Sequence, residues 1–180
     1  MHGVEDLFAL VQQLSQTLVV QPGVDGVNIG INNANVTVEN NIFHTIGNAG
    51  INSPTAGVLT THDYNVFFNI TGNAVQNGGV NTLCANITAV ETHSKCADPL
   101  FVSTSAPYAA SKFMLQSTSP AVDAGVDLSA TFTDDYAGTT RVVPWEMGAY
   151  TVTTVPPVTP VGPPGSGRGH RGRLVKRRVW

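Results

Sequence analysis

The chain has 180 residues, of which 42% are apolar and only 12% are charged, about half the charged fraction of an average soluble protein. It contains 18 glycines and 11 prolines, and asparagine and threonine are frequent. This composition excludes coiled coils, helical bundles and acidic disordered chains, which need many charged or helix-favouring residues. The length is typical of one domain. No apolar run approaches the roughly 18 residues that span a bilayer, so we expect no transmembrane segment.

Charge is distributed unevenly along the chain. All 12 acidic residues lie between Glu5 and Glu146, whereas six of the nine basic residues lie within the last 13 positions. Residues 1–150 therefore carry a net charge of −9, and the remaining tail carries +6. No lysine or arginine precedes Lys95, so any site in the first half of the chain has to work without a permanent cation.

The first residues predict a helix and then a strand. An amphipathic helix over residues 4–15, within an N-terminal cap of residues 1–16, is predicted by the spacing of Val4, Leu7, Phe8, Val11, Leu14 and Leu18. The β-branched run of residues 17–20 favours a strand, which Pro22 and Gly23 end. Glu5 and Asp6 stand where a secretory signal has its basic region, so we expect that this chain carries no export signal.

A repeat of 24 residues follows, and we assign it to residues 17–95. Short alternating apolar segments separated by asparagine and glycine predict many short strands. At an offset of 24 the apolar positions coincide: Ile42 with Val66, Phe43 with Phe67, Ile46 with Ile70, Ile51 with Val75 and, continued outward, Leu18 with Ile42 and Val66 with Val90. A period in the twenties without an internal helix is typical of the coils of a parallel β-helix, which stack at about 4.8 Å.

Asparagine is concentrated in the same region. All 14 asparagines lie between Asn28 and Asn86, and Asn41 and Asn65 occupy equivalent positions of successive repeats. Stacked asparagine side chains can hydrogen-bond along the axis of a β-helix as a ladder. The pattern therefore predicts a structural role for these two asparagines.

Residues 96–153 do not follow the 24-residue repeat, and we predict that they form a closing segment after the coils. They contain Asp-Pro-Leu-Phe at 98–101, Ser-Pro-Ala-Val-Asp-Ala-Gly at 119–125, Asp-Asp-Tyr-Ala-Gly at 134–138, Arg141 and Met-Gly-Ala-Tyr at 147–150. Over residues 96–150, this series resembles the C-terminal end of the secreted right-handed parallel β-helix proteins of the pectate-lyase-like superfamily. The resemblance implies an all-β, right-handed parallel β-helix with an irregular closing segment, and a secreted or cell-surface location.

The resemblance also bears on activity. In the β-helix lyases of this superfamily, an arginine or lysine removes a proton beside a uronate carboxyl group, and Ca²⁺ held by acidic residues neutralises that group. The repeats have no such cation before Lys95. We therefore expect a polysaccharide-associated binding or surface module, or the C-terminal fragment of a carbohydrate-active protein, without a complete catalytic set. The alternative is a polysaccharide lyase or glycoside hydrolase that acts on an acidic polysaccharide.

Glu39 and Asp63 are the first candidate site residues. They are 24 residues apart, so they stack about 5 Å apart if the register holds. Such a pair could hold Ca²⁺, with amide oxygens from Asn40 or Asn65. It could also serve as the two carboxyl groups of a retaining glycosidase. The simplest interpretation is a pair of solvated carboxylates without a ligand.

His62 and Tyr64 flank Asp63 in the sequence. His62 could act as a base with Tyr64 as an acid, and an exposed Tyr64 could stack on a sugar ring. His44 is not 24 residues from His62, so the two histidines should not stack. The alternative for the histidines is an ordinary place in turns or on the surface. Structural roles are expected elsewhere: Asp134 and Asp135 in an Asx turn, and Lys95, Lys112 and Arg141 as surface charges or an ion pair.

Cys84 and Cys96 enclose the point where the repeat ends. In an exported protein they could form a disulfide that clamps the last coil. Asn-x-Thr sequons at Asn35, Asn69 and Asn86 would permit glycosylation only in a eukaryotic secretory route.

Residues 154–180 predict a proline-rich linker followed by a basic, disordered tail. The tail is either simply solvated, or a non-native end, or bound to an anionic surface, such as a cell-wall polymer, lipid head groups or nucleic acid. The sequence has no phosphate loop and no dinucleotide fingerprint, so we expect no nucleotide chemistry, and we expect no specific nucleic-acid partner.

Overall fold

The computed structural model of the protein describes residues 13–15, 18–20, 24–30, 35–105 and 109–152. This part of the chain forms short strands and two 3₁₀ helices, Cys84–Ala89 and Ala110–Phe113. The strands are β1 (Gln13–Ser15), β2 (Leu18–Val20), β3 (Val27–Asn28), β4 (Val36–Glu39), β5 (Ile42–Ile46), β6 (Ile51–Ser53), β7 (Leu59–Asp63), β8 (Val66–Ile70), β9 (Val75–Asn77), β10 (Val80–Thr82) and β11 (Lys95–Cys96).

The strands form three sheets, and successive strands along the chain join the first, second and third sheet in turn from β1 to β9. The first sheet has the order β1-β4-β7, the second β2-β5-β8-β11 and the third β3-β6-β9-β10. Neighbouring strands are parallel except for β9 and β10, which form an antiparallel hairpin. The described part of the protein is therefore all-β, with its strands in parallel sheets and almost no helix.

The strand register confirms the 24-residue repeat. Ile42 pairs with Val66, Phe43 with Phe67, and Ile51 with Val75. β2 confirms the strand predicted near residues 17–20, and its Leu18 pairs with Ile42. A bulge in the first sheet shifts the pairing by one residue between Val36 and Thr37.

The extension of the repeat to Val90 is wrong. The partner of Val66 is Lys95, and Val90 is 45% exposed. The β9–β10 hairpin and the first 3₁₀ helix add residues between β9 and β11, so the next strand of the second sheet starts five positions later than the period predicts.

The predicted N-terminal helix is wrong at its C-terminal end. Residues 13–15 form β1, which pairs in parallel with β4 through Leu14 and Val38. Pairing with the edge of a sheet overrides the helical spacing, because strand propensity depends on tertiary context. Residues 4–12 of that helix lie outside the described residues, as do the linker and tail of residues 154–180.

The interior between the sheets is filled by the inward-facing side chains of successive repeats. Phe43 and Phe67 stack with their ring centroids 5.1 Å apart. Gly26 and Gly50 occupy equivalent positions, and a Cβ atom on Gly26 would lie 2.6 Å from the Gly50 carbonyl oxygen. Only glycine fits where the stacked backbones approach so closely. The other core residues include Ile29, Val36, Val38, Ile46, Ile51, Leu59, Val75 and Ile87.

The asparagine ladder is present at the corner between the first and second sheets. The fully buried Asn65 side chain accepts hydrogen bonds from the backbone nitrogen and Nδ2 of Asn41, at 3.0 and 3.2 Å. Asn65 Nδ2 in turn donates to the Val38 carbonyl oxygen at 2.9 Å. The residue before each of these asparagines has a left-handed backbone, with φ of 57° at Asn40 and 56° at Tyr64. Equivalent turns therefore repeat with the same geometry.

The segment after β11 packs against the second sheet. Phe101, Leu115, Ala121 and Met147 form a second apolar cluster with β5 and β8. Asn40 joins this segment to the repeats, since its side chain bonds both the nitrogen and the oxygen of Val126 at 2.8 Å. These contacts hold residues 101–105 and 109–148 along one side of the sheets.

Two predicted structural roles in this segment are present. Arg141 is buried beside Glu146, 3.4 Å from its carboxylate, and donates to the Gly148 carbonyl oxygen at 2.7 Å. Asp135 accepts hydrogen bonds from the backbone nitrogens of Ala137 and Thr139, each at 2.8 Å, as in an Asx turn. Arg141 is therefore an internal brace, and Asp135 orders its loop.

Replacement of Asn65 by leucine should lower the free energy of unfolding by about 3 kcal/mol, because each buried polar group left unsatisfied costs about 1–3 kcal/mol. Urea unfolding would measure the loss. The control is Asn86→Ala, an exposed position on the first 3₁₀ helix, which should change stability by less than about 0.5 kcal/mol. Equal stability of the two variants would contradict a structural role for the ladder.

Candidate functional site

The outer surface of the first sheet carries a compact set of polar side chains. Buried Val36 and Val38 alternate in β4 with the half-buried Thr37 and Glu39, so Thr37 and Glu39 point away from the core. In β7, Thr61 pairs with Thr37, and Asp63 pairs with Glu39. We call these four residues, Thr37, Glu39, Thr61 and Asp63, the polar face. It places two hydroxyl groups and two carboxylates one strand spacing apart, about 4.8 Å.

The pKa values of the two carboxylates of the polar face are shifted in opposite directions. Burial and the adjacent charge of Asp63 raise the pKa of Glu39. Burial would also raise the pKa of Asp63, but hydrogen bonds from the His93 side chain and from the backbone nitrogens of Tyr64 and His93 outweigh it and lower that pKa. Glu39 therefore holds its proton more readily than Asp63 does.

Asp63 is the most heavily hydrogen-bonded member of the polar face. Its Oδ1 accepts from the backbone nitrogens of Tyr64, His93 and Ser94 at 2.8, 2.9 and 3.1 Å. Its Oδ2 lies 2.7 Å from His93 Nδ1. The Tyr64 and His93 rings stack with centroids 4.3 Å apart and planes 4° from parallel. The partly buried Tyr64 therefore adjoins the polar face as part of a stacked pair, with the exposed His93 on the outside.

His62 does not belong to the polar face. It takes the register position of the buried Val38, and its Nδ1 lies 2.9 Å from Oε1 of Glu91, which is fully buried. Consecutive residues of a strand point to opposite sides of the sheet. The proposed grouping of His62 with Glu39 and Asp63 is therefore wrong in its geometry, although all three residues lie on the first sheet. His44 pairs with Phe68, so the two histidines do not stack, as expected.

Glu91, His93 and Ser94 are site residues that sequence reasoning missed. Ser94 donates to Glu91 and accepts from the Asn65 backbone nitrogen at 2.7 Å, so it continues the asparagine series at the corner of the sheets. It escaped detection because it lies 29 residues after Asn65, outside the 24-residue period. The sequence held no signal for it, because the period places the next strand at Val90 and β11 begins at Lys95.

A disulfide fixes the segment that carries these residues. Cys84 and Cys96 are bonded, with Cα atoms 5.3 Å apart. They join the start of the first 3₁₀ helix to β11 and close the loop that contains Glu91, His93 and Ser94. The sequence allowed this pairing without requiring it, and the bond holds His93 against Asp63.

The geometry gives little support to calcium at Glu39 and Asp63. Both Asp63 oxygens already accept hydrogen bonds, so a cation would compete with His93 and three backbone nitrogens. Among the described residues, no group of three or more His, Cys, Asp and Glu side chains is arranged to hold a metal ion. Ca²⁺ prefers six to eight oxygen ligands, many more than this pair offers.

No protein-family model matches the sequence, and no curated protein or solved structure is significantly similar to the chain. Neither described helix is long and apolar enough to cross a membrane.

The opposite pKa shifts of Glu39 and Asp63 predict that neutralising each carboxylate changes the melting temperature in opposite directions. A raised pKa means that ionised Glu39 costs stability, so Glu39→Gln should raise the melting temperature at neutral pH. That gain should vanish below about pH 4, where the side chain is protonated in both states. The lowered pKa of Asp63 means that its stabilisation exists above the ordinary pKa of an aspartate and is lost on acidification, so Asp63→Asn should lower the neutral-pH melting temperature.

Thermal unfolding of both variants and the native sequence, from neutral pH to about pH 3, would measure these effects. Shifts of the same sign for both variants, or shifts that do not change with pH, would contradict the electrostatic assignment of the pair.

Proposed function

We propose that this chain is a secreted or cell-surface module that binds a polysaccharide along the polar face, and that its sheets form a right-handed parallel β-helix of the pectate-lyase-like kind. Three passes through the same three sheets with a 24-residue register support the solenoid. The closing segment supports the superfamily through its sequence resemblance. Such stacked sheets offer flat, regular surfaces along which an extended polymer can lie.

The array of Thr37, Glu39, Thr61 and Asp63 is the observation that carries this proposal. Hydroxyl groups can donate hydrogen bonds to sugar hydroxyls and accept them, and ionised carboxylates accept charge-assisted bonds, which are the stronger ones. Parallel pairing holds the four side chains at fixed positions before a ligand arrives, and pre-organisation lowers the cost of binding. Tyr64 and His93 add a stacked ring pair beside Asp63.

The charge of the site favours a neutral polymer. Two carboxylates of the polar face lie side by side, and no lysine or arginine precedes Lys95 in the chain. Transfer of a further carboxylate onto this surface would be opposed by like charge. We therefore propose an uncharged polysaccharide as the ligand in place of the acidic one that the enzyme alternative assumes.

The basic tail has a separate proposed role. Six of its residues are lysine or arginine, and a proline-rich stretch separates it from the acidic body. Cationic segments of this kind are attracted to anionic surfaces. We propose that residues 154–180 attach the module to such a surface while the sheets engage the neutral polymer.

The binding proposal predicts retention of the protein by neutral polysaccharides in affinity electrophoresis. Retention on neutral gels should exceed that on polyuronate gels, and the double variant Thr61→Ala, Asp63→Asn should weaken it about tenfold or more. Thr88→Ala is the control, because Thr88 is exposed on the first 3₁₀ helix and belongs to neither of the strands that carry the polar face. Equal retention of the double variant and the control would contradict the assigned surface, and no retention of the native chain would contradict the function.

A glycoside hydrolase is the second candidate, and the opposite pKa shifts of Glu39 and Asp63 favour it. In a retaining hydrolase one carboxyl group stays protonated as the acid while the other is ionised as the nucleophile, about 5 to 5.5 Å away. Glu39 would be the acid and Asp63 the nucleophile. The hydrogen bonds to both Asp63 oxygens count against this role, because they stabilise the carboxylate charge and so weaken it as a nucleophile.

Incubation of the protein with the same neutral polysaccharides in solution distinguishes binding from hydrolysis if new reducing ends are measured. We expect retention without new ends. New ends that disappear in both Glu39→Gln and Asp63→Asn would instead establish the hydrolase and its two residues, since loss of either group costs orders of magnitude in rate.

A further inference from the structure

A second surface, in the segment that follows the sheets, carries two tyrosines beside a cavity. Tyr136 is 78% exposed. It meets Tyr150 edge to face, with ring centroids 5.8 Å apart and planes at 79°. The cavity next to them has a volume of about 360 Å³, and its lining includes Ser111, Met114, Ala137, Thr139 and Thr151. This volume lies within the range of small-ligand sites, about 300–1,000 Å³.

The loop that presents Tyr136 is held firmly. Asp135 accepts from the Ala137 and Thr139 nitrogens through Oδ1, and from the Thr151 nitrogen through Oδ2 at 3.0 Å. The Tyr136 nitrogen donates to the Ala149 carbonyl oxygen at 2.9 Å. An exposed aromatic ring on a loop fixed from both sides is already placed for a flat partner.

The chemistry around the ring is uncharged and rich in hydroxyl groups. Asp135, the one charged residue of the lining, uses its oxygens on backbone nitrogens. The hydroxyl groups of the exposed Ser111 and Thr139 lie at the rim. The Thr151 hydroxyl is buried without a hydrogen-bond partner in the described part of the chain. The phenol of Tyr150 can donate a hydrogen bond at neutral pH, as tyrosine ordinarily does, and burial, Tyr136 and Asp135 raise its pKa further.

We propose that this cavity is a subsite for one pyranose ring of a neutral polysaccharide, with the sugar stacked on Tyr136. The C–H bonds on one face of a pyranose carry partial positive charge and fit the negative face of an aromatic ring. The sugar hydroxyls would meet the phenol of Tyr150 and the rim hydroxyls. The choice of polymer rests on the proposed function, but the subsite lies on a different segment from the polar face and can be tested separately.

Titration with cellohexaose, maltohexaose and mannohexaose, followed by calorimetry and by saturation-transfer NMR, tests the subsite. The full chain should bind at least one of them, and Tyr136→Ala should weaken that binding about tenfold, whereas Tyr136→Phe should stay within about twofold because the ring remains. Tyr136 is exposed, so both variants should fold. Leu83→Ala, at a 55% exposed position elsewhere, is the control.

The outcomes separate the two proposals. Unchanged hexasaccharide binding by Tyr136→Ala, or no binding by the native chain, overturns the subsite. Loss of polymer retention in the polar-face variant does not affect that test. If the native chain binds a hexasaccharide through Tyr136 while no polymer is retained along the polar face, the subsite stands and the proposed binding surface fails.

Discussion

Parallel pairing of residues 24 positions apart sets the direction of the side chains in β4 to β9. The hydrogen bonds of a parallel pair of strands are evenly spaced, so fixing one pair of residues fixes the others. The same register therefore places Phe43 on Phe67, Asn41 beside Asn65 and Glu39 beside Asp63. A slip by one residue would turn the phenylalanines outward and the carboxylates into the core. Core packing, the asparagine ladder and the polar face therefore depend on the same constraint.

The 24-residue register ends after β9. After β9 the chain reverses into β10 and forms a 3₁₀ helix before it rejoins the second sheet at Lys95. The inserted residues carry Glu91, His93 and Ser94 over the end of the first sheet, where they bond His62, Asp63 and Asn65. The side chains of these three residues form hydrogen bonds at the edge of the sheet, where a further strand would otherwise pair. The disulfide holds this replacement in place.

Electrostatics narrows the range of functions. No lysine or arginine precedes Lys95, and the adjacent carboxylates of Glu39 and Asp63 would oppose a polyanionic ligand. Hydroxyl groups, carboxylates and aromatic rings remain, both on the polar face and around Tyr136. Hydrogen bonds and ring stacking are the interactions by which these groups would recognise the neutral sugar that we propose as the ligand.

Amino-acid sequence alone determined the all-β class, the period of 24 and the pairs that share a register position, because regular stacking forces chemically similar residues to recur at equal spacing. It could not locate β1, which sits in a helical pattern and becomes a strand only because β4 offers it a partner. It also placed His62 beside Asp63, although the pleat turns the two to opposite sides. The pairing of Glu91 with His62, and the meeting of His93 with Asp63, were decided by the tertiary structure. They arise where the insertion breaks the period, and contacts between irregular segments leave no spacing in the sequence by which to find them.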